Sequence, residues 1–117
     1  MKIVTLVENT PREGLHAARG LSLYGETASH KVLFDMGPGA EFLGNAAALG
    51  VDLTAVDTAV LSHGHSDHGG GLEAFCRVNS QAKLYLRREA FQPYYAVLPG
   101  QEPQYIGLST PPDFLHK

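Results

Sequence analysis

Histidine and aspartate side chains cluster in one short stretch of the chain, His63-Gly64-His65-Ser66-Asp67-His68. Imidazole nitrogens and carboxylate oxygens bind zinc, and they also suit iron or manganese. His63 and His65 are two residues apart, so in an extended segment their side chains lie on the same side. Asp67 and His68 follow after one more residue, and together the four side chains can serve two adjacent metal positions. Such a metal pair polarises a substrate oxygen and generates hydroxide near neutral pH.

A solvated histidine-rich turn, or a helix capped by Asp67, is the alternative interpretation of this stretch. The run Ala59-Val60-Leu61 before it is apolar and predicts a strand, and the glycines at 69–71 follow it. A loop directly after a buried strand holds its side chains at the edge of a sheet, where a substrate can approach. Three histidines and an aspartate in that position favour metal ligation over a simple turn.

The elements that must position this loop are predicted from the spacing of apolar residues and from turn residues. Strands are predicted at 2–7, 21–25, 31–34, 57–62, 82–86 and 105–108, with the second and third paired as a hairpin. Helices are predicted at 40–49, stopped by Gly50, and at 69–78, with one helical turn at 88–91. Strands followed by alternating helices and strands predict an α/β (α+β layered) fold. We expect a single domain over residues 1–117, in which residues 92–117 form an irregular, proline-rich tail.

Composition excludes several classes of partner. The net charge is −3, and no basic stripe is available to neutralise phosphates, so we expect no nucleic-acid partner. No apolar run is long enough to span a bilayer, and the first residues lack the layout of a signal peptide, so we expect no membrane partner. The single cysteine, Cys76, cannot form an intrachain disulfide, which fits a reducing compartment. We therefore expect a cytoplasmic protein that acts on a small-molecule substrate.

The histidine motif resembles the HxHxDH signature of the metallo-β-lactamase superfamily. The strand that enters it, the glycine-led helix that leaves it, and the earlier segment Leu33-Phe34-Asp35-Met36-Gly37 are also similar to that family. The resemblance implies that His63 and His65 bind a first metal and that Asp67 and His68 bind a second. It also implies that Asp67 lies near the reactive water and is catalytic. Asp35 would steady the histidine loop from behind, as outer carboxylates do in metal sites.

Two further segments, Leu6–Thr10 and Gly20–Leu23, are similar to one branch of this superfamily. That branch contains the dihydropterin-ribofuranosylaminobenzene phosphate synthase-like proteins. Its members carry Glu-His where this chain has Ala18-Arg19. His16 is a candidate to take the place of the missing histidine, and a surface loop residue is the alternative interpretation.

The superfamily fold is a four-layer αβ/βα sandwich made of two similar halves, and the resemblance covers the first half. It implies a mixed sheet with helices on one face, whose other face is exposed unless a second half covers it. The second half normally supplies further metal ligands. Asp113 and His116 are the later candidates here, with a frayed terminal tail as the alternative. The chain could be a fragment, a homodimer, or the partner of a separate second-half chain.

Two hypotheses about function follow. The first is a metal-dependent hydrolase, or its N-terminal portion, in which metal-bound hydroxide attacks an ester, amide or phosphoester. The second is a half-fold homodimeric module that binds metal or ligand without catalysis. The cofactor expected for either is a divalent metal, one or two ions, with zinc first and iron or manganese as alternatives. A short chain that leaves the site empty is a further alternative.

Overall fold

The computed structural model describes residues 1–10, 14–15 and 17–108. Its centre is a five-stranded mixed sheet with the strand order β1-β2-β3-β4-β5. The strands are β1 (Lys2–Val7), β2 (Ser22–Glu26), β3 (Lys31–Phe34), β4 (Thr58–Val60) and β5 (Lys83–Tyr85). The β1–β2 and β2–β3 pairs are antiparallel, whereas the β3–β4 and β4–β5 pairs are parallel. The candidates His16, Asp113 and His116 lie outside the described residues.

Three helices accompany the sheet: α1 (Glu41–Ala48), α2 (Ser66–Gly69) and α3 (Leu72–Val78). Short 3₁₀ turns lie at Leu53–Ala55 and Arg88–Phe91. The helices bury their apolar residues against one face of the sheet, as the sequence predicted, so the α/β fold class is confirmed. That core includes Leu6, Leu33, Met36, Phe42, Ala46, Ala59, Leu72 and Phe75. In the described part of the chain, no helix has the length and apolarity needed to cross a membrane.

Several local predictions are confirmed. Strands β2 and β3 form the predicted hairpin, in which Tyr24 lies opposite Leu33. Helix α1 occupies the predicted segment, and Gly50 follows it with φ of 74°, a conformation that stops a helix and favours glycine. The helical turn predicted at 88–91 is the second 3₁₀ turn.

The prediction of one helix at 69–78 preceded by a loop was wrong. The chain becomes helical at Ser66, so Asp67 and His68 lie on the short helix α2, and α3 begins separately at Leu72. The break has a physical cause, because the backbone at Gly70 and Gly71 packs directly against the carbonyl groups of residues 36–39. Glycines permit that close approach, and the chain turns there instead of continuing as one helix.

The C-terminal strand also differs from its prediction. It covers Gln104–Tyr105 (β7) rather than 105–108, and it pairs antiparallel with a second short strand, Tyr95–Ala96 (β6). A pair of two-residue strands carries too little apolar alternation to be detected by periodicity.

The two faces of the five-stranded sheet differ in cover. On the helix side, Leu33 and Ala59 are fully buried. On the other side Ile3, Phe34 and Tyr85 are 66%, 36% and 55% exposed, and this side is called the open face below. Val60, which lies on the open face in β4, is half-buried. The exposed apolar face expected for a half-sandwich is present.

Candidate metal centre

The candidate ligands meet at one edge of the sheet because β3 and β4 are parallel. Asp35 directly follows β3, and the histidine motif begins shortly after β4. Since the carboxyl ends of parallel strands lie at the same edge, these two segments of the chain become neighbours. The Asp35 backbone N–H donates to the carbonyl of Val60 at 2.9 Å, which continues the ladder between the two strands by one bond.

Asp35 holds the residues of the histidine motif in place through hydrogen bonds. Its side chain is fully buried, and its backbone has φ of 59°, a left-handed conformation that aspartate tolerates better than most residues. Oδ1 accepts from the Ser62 backbone N–H at 2.7 Å, and Oδ2 accepts from the Ser62 hydroxyl at 2.6 Å. Nδ1 of His68 lies 2.7 Å from the same Oδ2. Both oxygens of Asp35 are therefore engaged in hydrogen bonds, which suits Asp35 to a supporting position behind the histidine side chains.

The backbone of the motif is tied to three other segments. The carbonyl of His68 accepts from Met36 N–H at 2.7 Å, and the carbonyl of Asp67 accepts from Leu21 N–H at 3.3 Å. On the other side, Ser66 N–H donates to the carbonyl of Ile106, which follows β7, at 2.6 Å. These bonds involve backbone groups distant in sequence, so the whole domain defines the position of the motif.

Two glycines make this close packing possible. A Cβ at Gly64, between the first two histidines, would collide with the backbone of Ala90 in the second 3₁₀ turn. A Cβ at Gly20 would collide with the carbonyl of Asp67, and Gly20 also has φ of 132°, which side chains rarely adopt. Larger residues at either position would displace the motif.

The side chains of the motif form one cluster. The ring of His63 lies 4.7 Å from that of His65 and 4.3 Å from that of His68, centroid to centroid. Two groups have ligating atoms within 4.8 Å of one another: His63 with His65 and Asp67, and Asp35 with His63 and His68. Nε2 of His68 is 3.8 Å from the Asp67 carboxylate. The Asp67 carboxylate therefore lies close to ring nitrogens of all three histidines.

The electrostatics of the cluster favour neutral imidazole at His63. The pKa of His63 is lowered, first because its ring is partly withdrawn from water and then because the rings of His68 and His65 lie close by. A neutral ring offers a lone pair, which a metal ligand requires. The donor set, partly exposed and composed of imidazole and carboxylate, fits a divalent metal ion.

Within its described residues, the structure brings together five of the residues singled out from the sequence: Asp35, His63, His65, Asp67 and His68. The other three candidates, His16, Asp113 and His116, lie outside the described residues. Sequence reasoning missed two neighbours, Ser62 and Tyr94. Nδ1 of His63 lies 2.8 Å from the Ser62 hydroxyl, and the Tyr94 ring packs edge-on against His65 at 5.2 Å. The position of Ser62, a hydroxyl residue directly before the motif, could have indicated a role in the site. No feature of the sequence around Tyr94 indicates that it lies near His65.

A comparison with family models supports this picture. The model described as the metallo-β-lactamase superfamily matches residues 22–115, most of the chain. The chain belongs to the metallo-β-lactamase superfamily. This fold implies binding of a divalent metal, in agreement with the candidate ligand groups.

Individual relatives agree with the assignment. The 7,8-dihydropterin-6-methyl-4-(β-D-ribofuranosyl)-aminobenzene-5′-phosphate synthase of Methanocaldococcus jannaschii is 32% identical over 94% of this chain. A second protein of that archaeon is 33% identical over 91% of it. A solved metal-dependent hydrolase of the β-lactamase superfamily superposes with a TM-score of 0.69 at 33% identity over 92% of the chain. The chain spans only 39%, 40% and 36% of these three proteins, respectively.

Proposed function

We propose that this chain is a metal-dependent hydrolase, or the N-terminal portion of one, acting on a small-molecule ester, amide or phosphoester. The observation that carries the proposal is the cluster at the carboxyl ends of β3 and β4. There the ligating atoms of His63, His65 and Asp67 lie within 4.8 Å of one another. The cluster is partly exposed, so a substrate has access to it.

The proposed ligands are His63 and His65 for a first ion and Asp67 and His68 for a second. Zinc is the proposed metal, because imidazole and carboxylate suit it, with iron or manganese as alternatives. A bound ion would act as a Lewis acid that polarises a substrate oxygen and lowers the pKa of water. Asp67, whose side chain is 33% exposed and therefore accessible, would orient the attacking water and accept its proton. The single cysteine supports the cytoplasm as the proposed compartment.

The test is hydrolysis of a generic ester and a generic phosphodiester by zinc- and manganese-loaded protein. We expect turnover above that of the free metal, and we expect His65→Ala to lower it at least about tenfold, as loss of a metal ligand should. His30→Ala is the matched control, because His30 is exposed and lies beside Asp57, just before β4. Equal rates for all three proteins, at the level of the free metal, would contradict the proposal.

Synthase chemistry, as in the name of the archaeal relative, is a narrower version of the proposal. It rests on resemblance alone, and this chain spans 39% of that relative's length. Likeness of fold does not determine the reaction. The phosphodiester assay addresses the more general chemistry first.

A second candidate function is a homodimeric module that binds metal or ligand without turnover. The open face favours it, because Ile3, Phe34 and Tyr85 expose apolar surface that a partner would cover. Among the strand residues that are paired side by side across this face, one is charged: Lys83, on the edge strand β5. Two copies could therefore pack these faces together about a two-fold axis without burying opposed like charges. A separate second-half chain is the competing occupant.

Light scattering tests this second candidate. We expect a dimer for the wild type and a monomer for Phe34→Asp, which places a charge in the centre of the open face. Val97→Asp is the control, because Val97 is apolar and 71% exposed but lies outside the sheet. A folded wild-type monomer would remove the homodimer and leave a different chain as the occupant of the face.

A further inference from the structure

Ser62 occupies a position between the buried carboxylate of Asp35 and the ring of His63. Its backbone N–H and its hydroxyl both donate to Asp35, at 2.7 and 2.6 Å. Its Oγ lies 2.8 Å from Nδ1 of His63 on the opposite side. Asp35 and Ser62 are 27 residues apart in sequence, so the fold creates this contact.

A serine hydroxyl has one proton, and this limits the possible arrangements. A carboxylate only accepts hydrogen bonds, so the hydroxyl proton is directed to Oδ2 of Asp35. The Oγ lone pairs are then left to accept from the ring of His63. In the neutral ring, that bond forms only when His63 carries its proton on Nδ1, which leaves Nε2 unprotonated.

The same carboxylate orders His68 directly. Nδ1 of His68 lies 2.7 Å from Oδ2 of Asp35, which accepts a hydrogen bond from the Nδ1–H, so the neutral His68 ring has its Nε2 unprotonated as well. His68 thus bonds Asp35 directly, whereas the hydrogen bonds that link His63 to Asp35 pass through the Ser62 hydroxyl.

We propose that Ser62 is a positioning residue for His63. Because the Ser62 hydroxyl donates to Asp35, its oxygen accepts from Nδ1–H of His63, and this fixes the Nδ1–H tautomer of the His63 ring. One buried carboxylate then prepares two histidines, each with Nε2 available to a metal. The expected consequence of this tautomer is tighter metal binding, and that consequence rests on the proposed function. The tautomer itself is a property of the metal-free protein.

Nitrogen NMR of the metal-free protein, at a pH where the rings are neutral, reads the tautomers directly. We expect His63 and His68 both to be protonated at Nδ1 in the wild type. In Ser62→Ala, His63 should lose this preference while His68 keeps it, which shows that the pocket is still folded. Ser62→Thr retains the hydroxyl and should restore the His63 tautomer. A wild-type His63 protonated at Nε2, or a tautomer unchanged in Ser62→Ala, would overturn the proposal.

Zinc affinity, measured by competition with a chelator, supplies the second readout. Ser62→Ala should weaken binding about tenfold, at the low end of the range for lost outer partners, because Ser62 is exposed. Ser62→Thr should bind within about threefold of the wild type, and equal affinities for Ser62→Ala and wild type would contradict the positioning role. A protein that binds no zinc, but whose His63 tautomer follows Ser62, would refute the proposed function while supporting the positioning role.

Discussion

The two ends of the β3–β4 pair are built alike. Beside the start of β3, the Asp57 carboxylate accepts from the Lys31 backbone N–H at 2.8 Å and from the Thr58 hydroxyl at 2.7 Å. It also lies 3.1 Å from Nδ1 of His30. At the far end, Asp35 likewise contacts one backbone N–H, one hydroxyl and one histidine Nδ1, those of Ser62 and His68.

The difference between the two ends is burial. The Asp57 and His30 side chains are 43% and 63% exposed, whereas those of Asp35 and His68 are 0% and 21% exposed. Water competes more strongly for the bonds of the first pair than for those of the buried Asp35 carboxylate. The comparison teaches that similar hydrogen-bond partners join the two strands at one end and position the proposed metal ligands at the other. Burial, and the nearby side chains of His65 and Asp67, distinguish the two.

Replacing the buried carboxylate should have the largest effect. Asp35→Ala leaves three donors without their acceptor and places alanine at a φ of 59°, so we expect a loss of about 3–5 kcal/mol in the free energy of unfolding. Zinc binding should be lost as well. Urea denaturation of the metal-free protein measures the first effect. Asp35→Asn, which tolerates this backbone and keeps one acceptor, should lose less, and a stable Asp35→Ala protein would contradict the account.

Disrupting the close backbone packing at the Asp35 end of the strand pair should cause the second-largest loss of stability. Gly64→Ala adds a Cβ against the backbone of Ala90, so we expect a loss of about 1–3 kcal/mol and weaker zinc binding. Gly25→Ala is the matched control, because no atom lies within 4 Å of its added Cβ. Comparing the two variants by urea denaturation and zinc titration separates steric displacement from the general effect of removing a glycine. Equal behaviour of the two would show that the packing at Gly64 is unimportant.

Replacing Asp57, at the exposed end of the strand pair, should cause the smallest loss of stability, and that loss should depend on pH. Hydrogen bonds from the Thr58 hydroxyl and then from the Lys31 backbone lower the pKa of Asp57 to about 2 from its ordinary 3.8. A depressed carboxylate pKa stabilises the fold above the unfolded-state pKa, and this contribution is lost as pH falls from about 4 to about 2. The wild type should therefore exceed Asp57→Asn in stability at pH 6, and the difference should shrink as pH falls below about 4 and be largely lost near pH 2. Unfolding curves of both proteins across that range test this, and a constant difference would contradict it.

The sequence predicted the parts of this comparison that depend on local pattern. The strand before His63, the hairpin of β2 and β3, and the supporting role of Asp35 followed from apolar spacing and from resemblance to the family. The helical conformation of Asp67 and His68 was not predicted, because four residues between glycines carry no helical period.

Tertiary contacts explain the other omissions. Ser62 and Asp35 meet only because β3 and β4 are parallel neighbours, and the Asp57 arrangement depends on the same pairing. Tyr94 reaches His65 through the β6–β7 hairpin, whose strands have two residues each. Contacts between segments distant in sequence cannot be predicted from the spacing of apolar residues in a single sequence.

Zinc titration of the metal-free protein tests the central claim most directly, with one histidine removed from each end of the strand pair. The account predicts saturable binding of at least one equivalent by the wild type and by His30→Ala, with equal dissociation constants. His63→Ala should bind at least about tenfold more weakly, because it removes a ring common to both candidate groups. Absence of saturable binding by the wild type, or equal affinities for His63→Ala and His30→Ala, would contradict a metal centre at the Asp35 end.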